Sequence, residues 1–155
     1  GVLSPHDISA AFSPDGKWVA YGAGDGSRLR IYARSFPPSG AIHQIEATGS
    51  PSHPVWSPDS RELFFNPGLR GLGVVAVRRG PTLGFGAVVV LPRAFRLSPP
   101  EQPRAYDITP DGRFLARIPV DESLNATRAG TRIEVILNWF EALRQRLAAK
   151  RDSTP

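Results

Sequence analysis

One short turn signature is written three times along the chain: Ser13-Pro14-Asp15-Gly16, Ser57-Pro58-Asp59-Ser60 and Thr109-Pro110-Asp111-Gly112. The flanking columns agree as well. A large apolar residue precedes each turn (Phe12, Trp56, Ile108) and a basic one follows it (Lys17, Arg61, Arg113). Next comes an apolar pair, Val19-Ala20, Leu63-Phe64 or Leu115-Ala116. Self-similarity of this kind marks a fold built by repeating one supersecondary unit.

The residue types follow from turn chemistry. Ser or Thr at the first position hydrogen-bonds back to the chain, Pro presets φ at the second, Asp suits the third, and Gly accepts positive φ at the fourth. A type I turn followed by a left-handed residue joins two antiparallel strands, so each copy is read as a hairpin. Ser60 stands where the other copies have Gly, a strained place for a residue with a Cβ, so the second hairpin is expected to be the least ideal. The copies start 44 residues apart (Ser13 to Ser57) and then 52 (Ser57 to Thr109), near the period of roughly 40 to 50 for a four-stranded propeller blade. Strands are placed near 8–12, 18–21, 29–33 and 42–45, then near 54–56, 62–65, 74–77 and 88–91. The third copy supplies 105–108, 113–118 and, after a polar loop from Asp121 to Gly130, 132–137. It stops at three strands. The fold class is therefore all-β: a partial β-propeller of about two and three-quarter blades over residues 1–137, with repeats near 8–45, 54–91 and 105–137.

The period then changes. Trp139, Phe140, Leu143 and Leu147 share an apolar stripe at helical spacing, with Asn138 at Ncap and Glu141 at N3. A C-terminal α-helix is expected from about Trp139 to Ala149, within a capping segment 138–150, followed by a polar tail at 151–155. Composition narrows the chemistry further. The 155 residues include no Cys, which excludes disulfides, thiolate metal sites and cysteine nucleophiles, and no apolar run approaches the roughly 20 residues of a membrane span. With no Met, an opening Gly1-Val2-Leu3 and no signal-peptide pattern, the sequence reads as a fragment or processed product. Seventeen Arg and two Lys give a net charge of +5, which permits weak attraction to polyanions and names no partner.

An apolar residue, Ser-Pro-Asp-Gly, a basic residue and an apolar strand together resemble the TolB-like, WD40-like propeller repeat known as PD40. The resemblance covers roughly Ile8 to Ile118 and departs from the pattern at Ser60. The ending, Ala105 to Phe114 followed by Ile133-Glu134-Val135-Ile136-Leu137-Asn138-Trp139-Phe140-Glu141, is similar to the C-terminal end of propellers in large bacterial proteins, including receptor-like serine/threonine protein kinases. The resemblance implies a recognition scaffold, sensor region or gating domain, and no catalytic residue carries over. Closed rings have four to eight blades and open sheet edges invite pairing, so further upstream blades of the same parent chain are expected as packing partners.

Each candidate for chemistry has a plainer reading. Gly22-Ala23-Gly24-Asp25-Gly26 has the glycines of a phosphate-cradling loop, but such loops open into a helix, and Arg28-Leu29-Arg30-Ile31-Tyr32 reads as a strand. Asp15, Asp59 and Asp111 occupy the same position in successive repeats and so do not converge as an acid/base set. His6, His43 and His53 lack metal-ligand spacing, and no Gly-x-Ser-x-Gly or kinase motif is present. The pairs Arg78-Arg79, Arg93 with Arg96, and Arg128 with Arg132 read as solvated faces rather than a nucleic-acid surface. Arg144, Arg146, Lys150 and Arg151 accompany a helix that docks on the propeller rather than on a membrane.

These readings assign no catalytic, cofactor-binding or metal residue, and no cofactor. The residues singled out are the turns themselves. The function expected is a non-catalytic recognition or sensor module that binds a protein or small ligand at its loops, within a longer bacterial protein such as a receptor-like serine/threonine kinase. A periplasmic TolB-like scaffold and the gating propeller of a serine oligopeptidase are the alternatives. Nucleic acid is not an expected partner. Whether the parent chain carries a catalytic domain upstream stays open, and the resemblance favours an extracytoplasmic location.

Overall fold

The computed structural model describes residues 9–24, 28–68, 71–80, 83–92, 95, 97–118 and 132–136. Among them every regular element is a strand. β1 (Ser9–Phe12), β2 (Trp18–Gly24), β3 (Leu29–Ser35) and β4 (His43–Ile45) form one antiparallel sheet in chain order. β5 (Ser52–Trp56), β6 (Glu62–Asn66), β7 (Leu72–Arg78) and β8 (Gly84–Leu91) form a second. β9 (Tyr106–Ile108), β10 (Phe114–Ile118) and β11 (Arg132–Ile136) form a three-stranded third. The expected helix at 138–150, the tail, and the loop from Asp121 to Gly130 lie outside the described residues.

Alternation and continuity of apolar residues explain how the sheets stack. In the first sheet Ala20, Ile31, Ala33 and Ile45 are buried while their strand neighbours are not, as period-two geometry requires when one face is covered. The second sheet instead carries uninterrupted runs, Leu63-Phe64-Phe65 and Val74-Val75, all buried. It is covered on both faces. Leu63, Phe65, Val75, Val77 and Trp56 pack against the small residues of the first sheet. Val55, Phe64, Leu72, Val74 and Leu91 pack against Tyr106, Phe114 and Ala116 of the third.

Side-chain size is complementary across the first seam. Alanines at 11, 20 and 33 leave room for Trp56, Leu63 and Phe65 opposite, and each large side chain fully removed from water contributes about 1.5–3 kcal/mol. The Trp56 indole also donates its Nε1–H across the seam to the Ala11 carbonyl at 3.0 Å. At the second seam Phe64 and Phe114 meet edge to face with centroids 5.2 Å apart, a favoured aromatic geometry. The second sheet thus uses one face against its predecessor and the other against its successor, so the stacking of the three is head to tail.

Candidate functional site

In all three turns the opening hydroxyl bonds the turn Asp, and the first two copies share the whole plan. The Ser13 hydroxyl donates to Asp15 Oδ1 at 2.6 Å and accepts from the Trp18 amide at 3.0 Å. Asp15 Oδ1 also accepts from the Lys17 amide at 3.1 Å, and the Gly16 amide donates to the Ser13 carbonyl at 2.8 Å. The second copy repeats this: Ser57 to Asp59 at 2.7 Å, Arg61 amide to Asp59 at 3.1 Å, and Glu62 amide to Ser57 Oγ at 2.9 Å. Pro14 and Pro58 occupy the second turn position. The fourth position is left-handed each time, with φ of 68° at Gly16, 53° at Ser60 and 84° at Gly112. Ser60 holds this conformation despite its Cβ.

The third copy closes one residue sooner. Ser13 and Ser57 receive their partner carbonyls from Trp18 and Glu62, five residues on, whereas the Thr109 amide bonds to the Arg113 carbonyl, four residues on. The Thr109 hydroxyl bonds Asp111 and accepts from the Arg113 amide at 3.0 Å, and Pro110 keeps the second position. As a result Phe114 lies opposite Ile108, where Val19 lies opposite Phe12 and Leu63 opposite Trp56. This corrects the alignment of Leu115-Ala116 with Val19-Ala20. A three-residue loop with a left-handed Gly and a longer variant both suit this sequence, and a shift of one residue exchanges the two faces of the returning strand.

Electrostatics suit structural carboxylates. The Ser13 hydroxyl, assisted by the Lys17 amide and the Arg79 and Lys17 charges, outweighs partial burial and holds Asp15 below the usual carboxylate range. The Thr109 hydroxyl, with Arg113, brings Asp111 down to about 2. Arg113 sits 2.6 Å from Asp111, and Arg79, just beyond β7, reaches Asp15 at 3.3 Å. The first turn is thereby tied to the second sheet. The turns belong to three different sheets, and each Asp accepts from the hydroxyl that opens its own turn.

Sequence reasoning passed over a buried polar node around His53. The residue is 1% exposed and has φ of 55°. Its amide donates to Ser9 Oγ of β1 at 2.9 Å, and its carbonyl accepts from the Tyr106 hydroxyl of β9 at 2.6 Å. Its Nε2 lies 2.8 Å from the Gln102 carbonyl, and its Nδ1 lies 3.2 Å from Ser52 Oγ. A carbonyl only accepts, so Nε2 carries the proton and Nδ1 accepts from Ser52. One residue therefore links all three sheets. Burial, helped by the Arg104 charge, pushes the His53 imidazole down against the opposing pull of Gln102 and Glu101, and burial pushes the Tyr106 phenol up. Arg104 completes the node with Nε on the Tyr106 carbonyl at 2.8 Å and Nη1 on the Pro54 carbonyl at 3.3 Å. Ser52, fully buried beside a neutral His, has no access to a substrate and serves as a hydrogen-bond donor. The signal available in the sequence was His-Pro at the head of an otherwise apolar strand.

The remaining expectations fall as follows. Gly22 and Gly24 are the last part of β2, and β3 begins at Leu29, so the glycine-rich stretch connects strand to strand. His43 lies on β4, edge-on to Trp18 and Phe85. Arg78 and Arg79 are exposed, while His6, Arg93, Arg96 and Arg128 lie outside the described residues. Among the described residues no group of three His, Asp or Glu side chains is placed to hold a metal ion, and no helix is long and apolar enough to cross a membrane. Comparison with protein-family models and with curated proteins finds no match.

Proposed function

We propose that this chain is part of a β-propeller of the PD40 type and serves as a non-catalytic recognition or sensor module. The observation supporting this reading is the head-to-tail stacking of antiparallel meanders, each led by the same Asp turn. Stacking of that kind leaves the loops at the sheet ends as the variable surface, where binding residues concentrate on such scaffolds. The turn carboxylates and His53 are engaged in holding the scaffold, which leaves recognition to the loops. A protein or small ligand bound there is the partner class that fits. Within this reading the parent is a receptor-like serine/threonine kinase, with a TolB-like periplasmic scaffold and an oligopeptidase gate as the competing assignments.

Determining the coding sequence on both sides of the chain separates them. Further Pro-Asp turns at the same spacing, preceded by an apolar span and kinase motifs, are expected for the sensor. More repeats behind a signal peptide would make it a soluble scaffold, and a hydrolase domain after Pro155 would make it a gate. Reproducible hydrolase or kinase activity in the purified chain would overturn the non-catalytic reading altogether.

A further inference from the structure

The last strands of the first two sheets have unlike edges. β4 is three residues long, and polar side chains dress it: Arg30 donates to Gln44 at 3.3 Å, and Gln44 to Glu46 at 3.0 Å. β8, in the same place in the second sheet, runs for eight residues from Gly84 to Leu91 with no charge and no proline inside it. Among the described residues it pairs with β7 alone. Natural sheets keep such edges short, charged or broken by proline, because an unpaired strand accepts another. The device β8 does carry is a bulge, between its pairings of Val88 with Val75 and of Phe85 with Val77.

Register shows which backbone groups of β8 are left over. The Val77 amide donates to the Arg61 carbonyl at 2.7 Å, so Val77 turns its backbone to β6. Backbone direction alternates along a strand, so Val74 and Leu72 turn theirs to β8, where Val89 and Leu91 lie opposite. Val88 and Val90 therefore present their N–H and C=O groups outward, and Phe85 does so beyond the bulge. The Val88 and Phe85 side chains pack at the margin of the core shared with the first sheet, and Val90, on the same side, is 50% exposed. Val89 packs on the opposite side, toward the third sheet.

Charge is a second, independent observation. Residues 63–100 contain five arginines and no acidic residue, while the rest of the chain holds 14 basic and 14 acidic side chains, so this stretch carries the whole net charge of +5. Arg78 ends β7 opposite Gly84, and a Cβ placed on Gly86 would stand 3.9 Å from its Nη2. The guanidinium thus lies over β8, on the face opposite to Val88, and no side chain at Gly86 separates it from the open edge. Among the described residues no carboxylate pairs with Arg78, whereas Arg79 reaches Asp15 at 3.3 Å. A carboxylate is the planar, charged acceptor that a guanidinium fits. A second copy of this chain would bring its own acid-free, arginine-bearing edge, and like charges would meet.

We propose that β8 is a strand-addition site for an extended segment of a protein partner, one that pairs with the backbone of Val88 and Val90, lays apolar side chains beside theirs, and brings a carboxylate to Arg78 on the opposite face. Main-chain hydrogen bonds supply the affinity in this mode of recognition, and alternate side chains the specificity. The surface is separate from the loops to which recognition is assigned above and stands on the second sheet alone, whichever parent that sheet belongs to. The probe is the peptide acetyl-Glu-Val-Thr-Val-Thr-Val-Glu-amide, which puts valines on one face and carboxylates on the other in either strand direction. A peptide with Lys at both ends is its counterpart. Each is added to the full chain, and amide hydrogen exchange is followed residue by residue by NMR.

The Glu-ended peptide is expected to slow exchange at Val88 and Val90 about tenfold and to leave Val89, already bonded to β7, unchanged. The Lys-ended peptide is expected to bind about tenfold more weakly, and Arg78→Glu to reverse that preference while the circular dichroism of the free chain stays the same. Val88→Pro removes an outward donor that β7 does not use, so it is expected to abolish the protection of Val90 with the fold retained. Unchanged exchange at Val88 and Val90 with about 1 mM of the Glu-ended peptide overturns the proposal. Slowing confined to the loops also overturns it while favouring recognition by loops, so the two readings fail separately. Slowing that needs no peptide and grows with protein concentration, together with a dimer mass, assigns β8 to a second copy and overturns it too. Equal binding of the two peptides rejects the acidic partner.

Discussion

Single residues in this chain hold conformations and charges that others could not. Ser60 sustains a left-handed φ of 53° in a turn whose other copies have glycine there. Ser60→Gly is expected to stabilise the protein by about 0.5–1 kcal/mol, seen as a higher denaturation midpoint at unchanged slope. His53 gives a second prediction, with a definite sign. Its imidazole is lowered in the folded state, so below about pH 6.5 the unfolded chain binds the proton first, and stability falls with pH until the folded pKa is reached. Thermal melts between pH 7 and 5 should show this loss, and His53→Asn, which tolerates the positive φ, should flatten it while lowering stability at pH 7. The turn carboxylates act in a separate, more acidic window. Asp15 and Asp111 are lowered, so what they contribute is present above about pH 4 and is lost as pH falls through their folded values.

At the scale of strands and hairpins, a glycine in the second sheet makes room for an aromatic ring. A Cβ on Gly73 would collide with the Phe65 ring, so Gly73→Ala is expected to cost about 1–3 kcal/mol through overpacking, measurable by chemical denaturation. The corresponding pair in the first sheet, Tyr21 and Tyr32, stacks instead. Much at this scale was legible in the sequence. The eleven strands coincide with the expected ones to within a few residues at each end, because period-two alternation and turn residues are local signals. The register of the third hairpin was not legible. Thr-Pro-Asp-Gly-Arg-Phe reads like Ser-Pro-Asp-Gly-Lys-Trp, yet the two turns close at different residues, a choice made by which side chains must meet the neighbouring sheet. Nor was the His53 node visible, since its partners Ser9, Gln102 and Tyr106 are brought to it only by stacking.

The described residues form a pile of three sheets in which the middle one depends on both neighbours. Leu63, Phe65 and Val75 have the first sheet as their cover, and Phe64 and Val74 the third. Removing residues 1–48 should therefore expose the former set and yield a chain that self-associates, detectable by light scattering. Cutting away one end is not equivalent to losing one-third of the stability, because nearest-neighbour seams carry most of it in stacked repeats. The hydrogen bond from Trp56 to the Ala11 carbonyl also provides an optical gauge. Trp18 and Trp56 border the same seam, so the blue part of the emission spectrum reports whether the first two sheets are in contact. A red shift that comes before loss of far-ultraviolet circular dichroism would register their parting while each sheet is still intact.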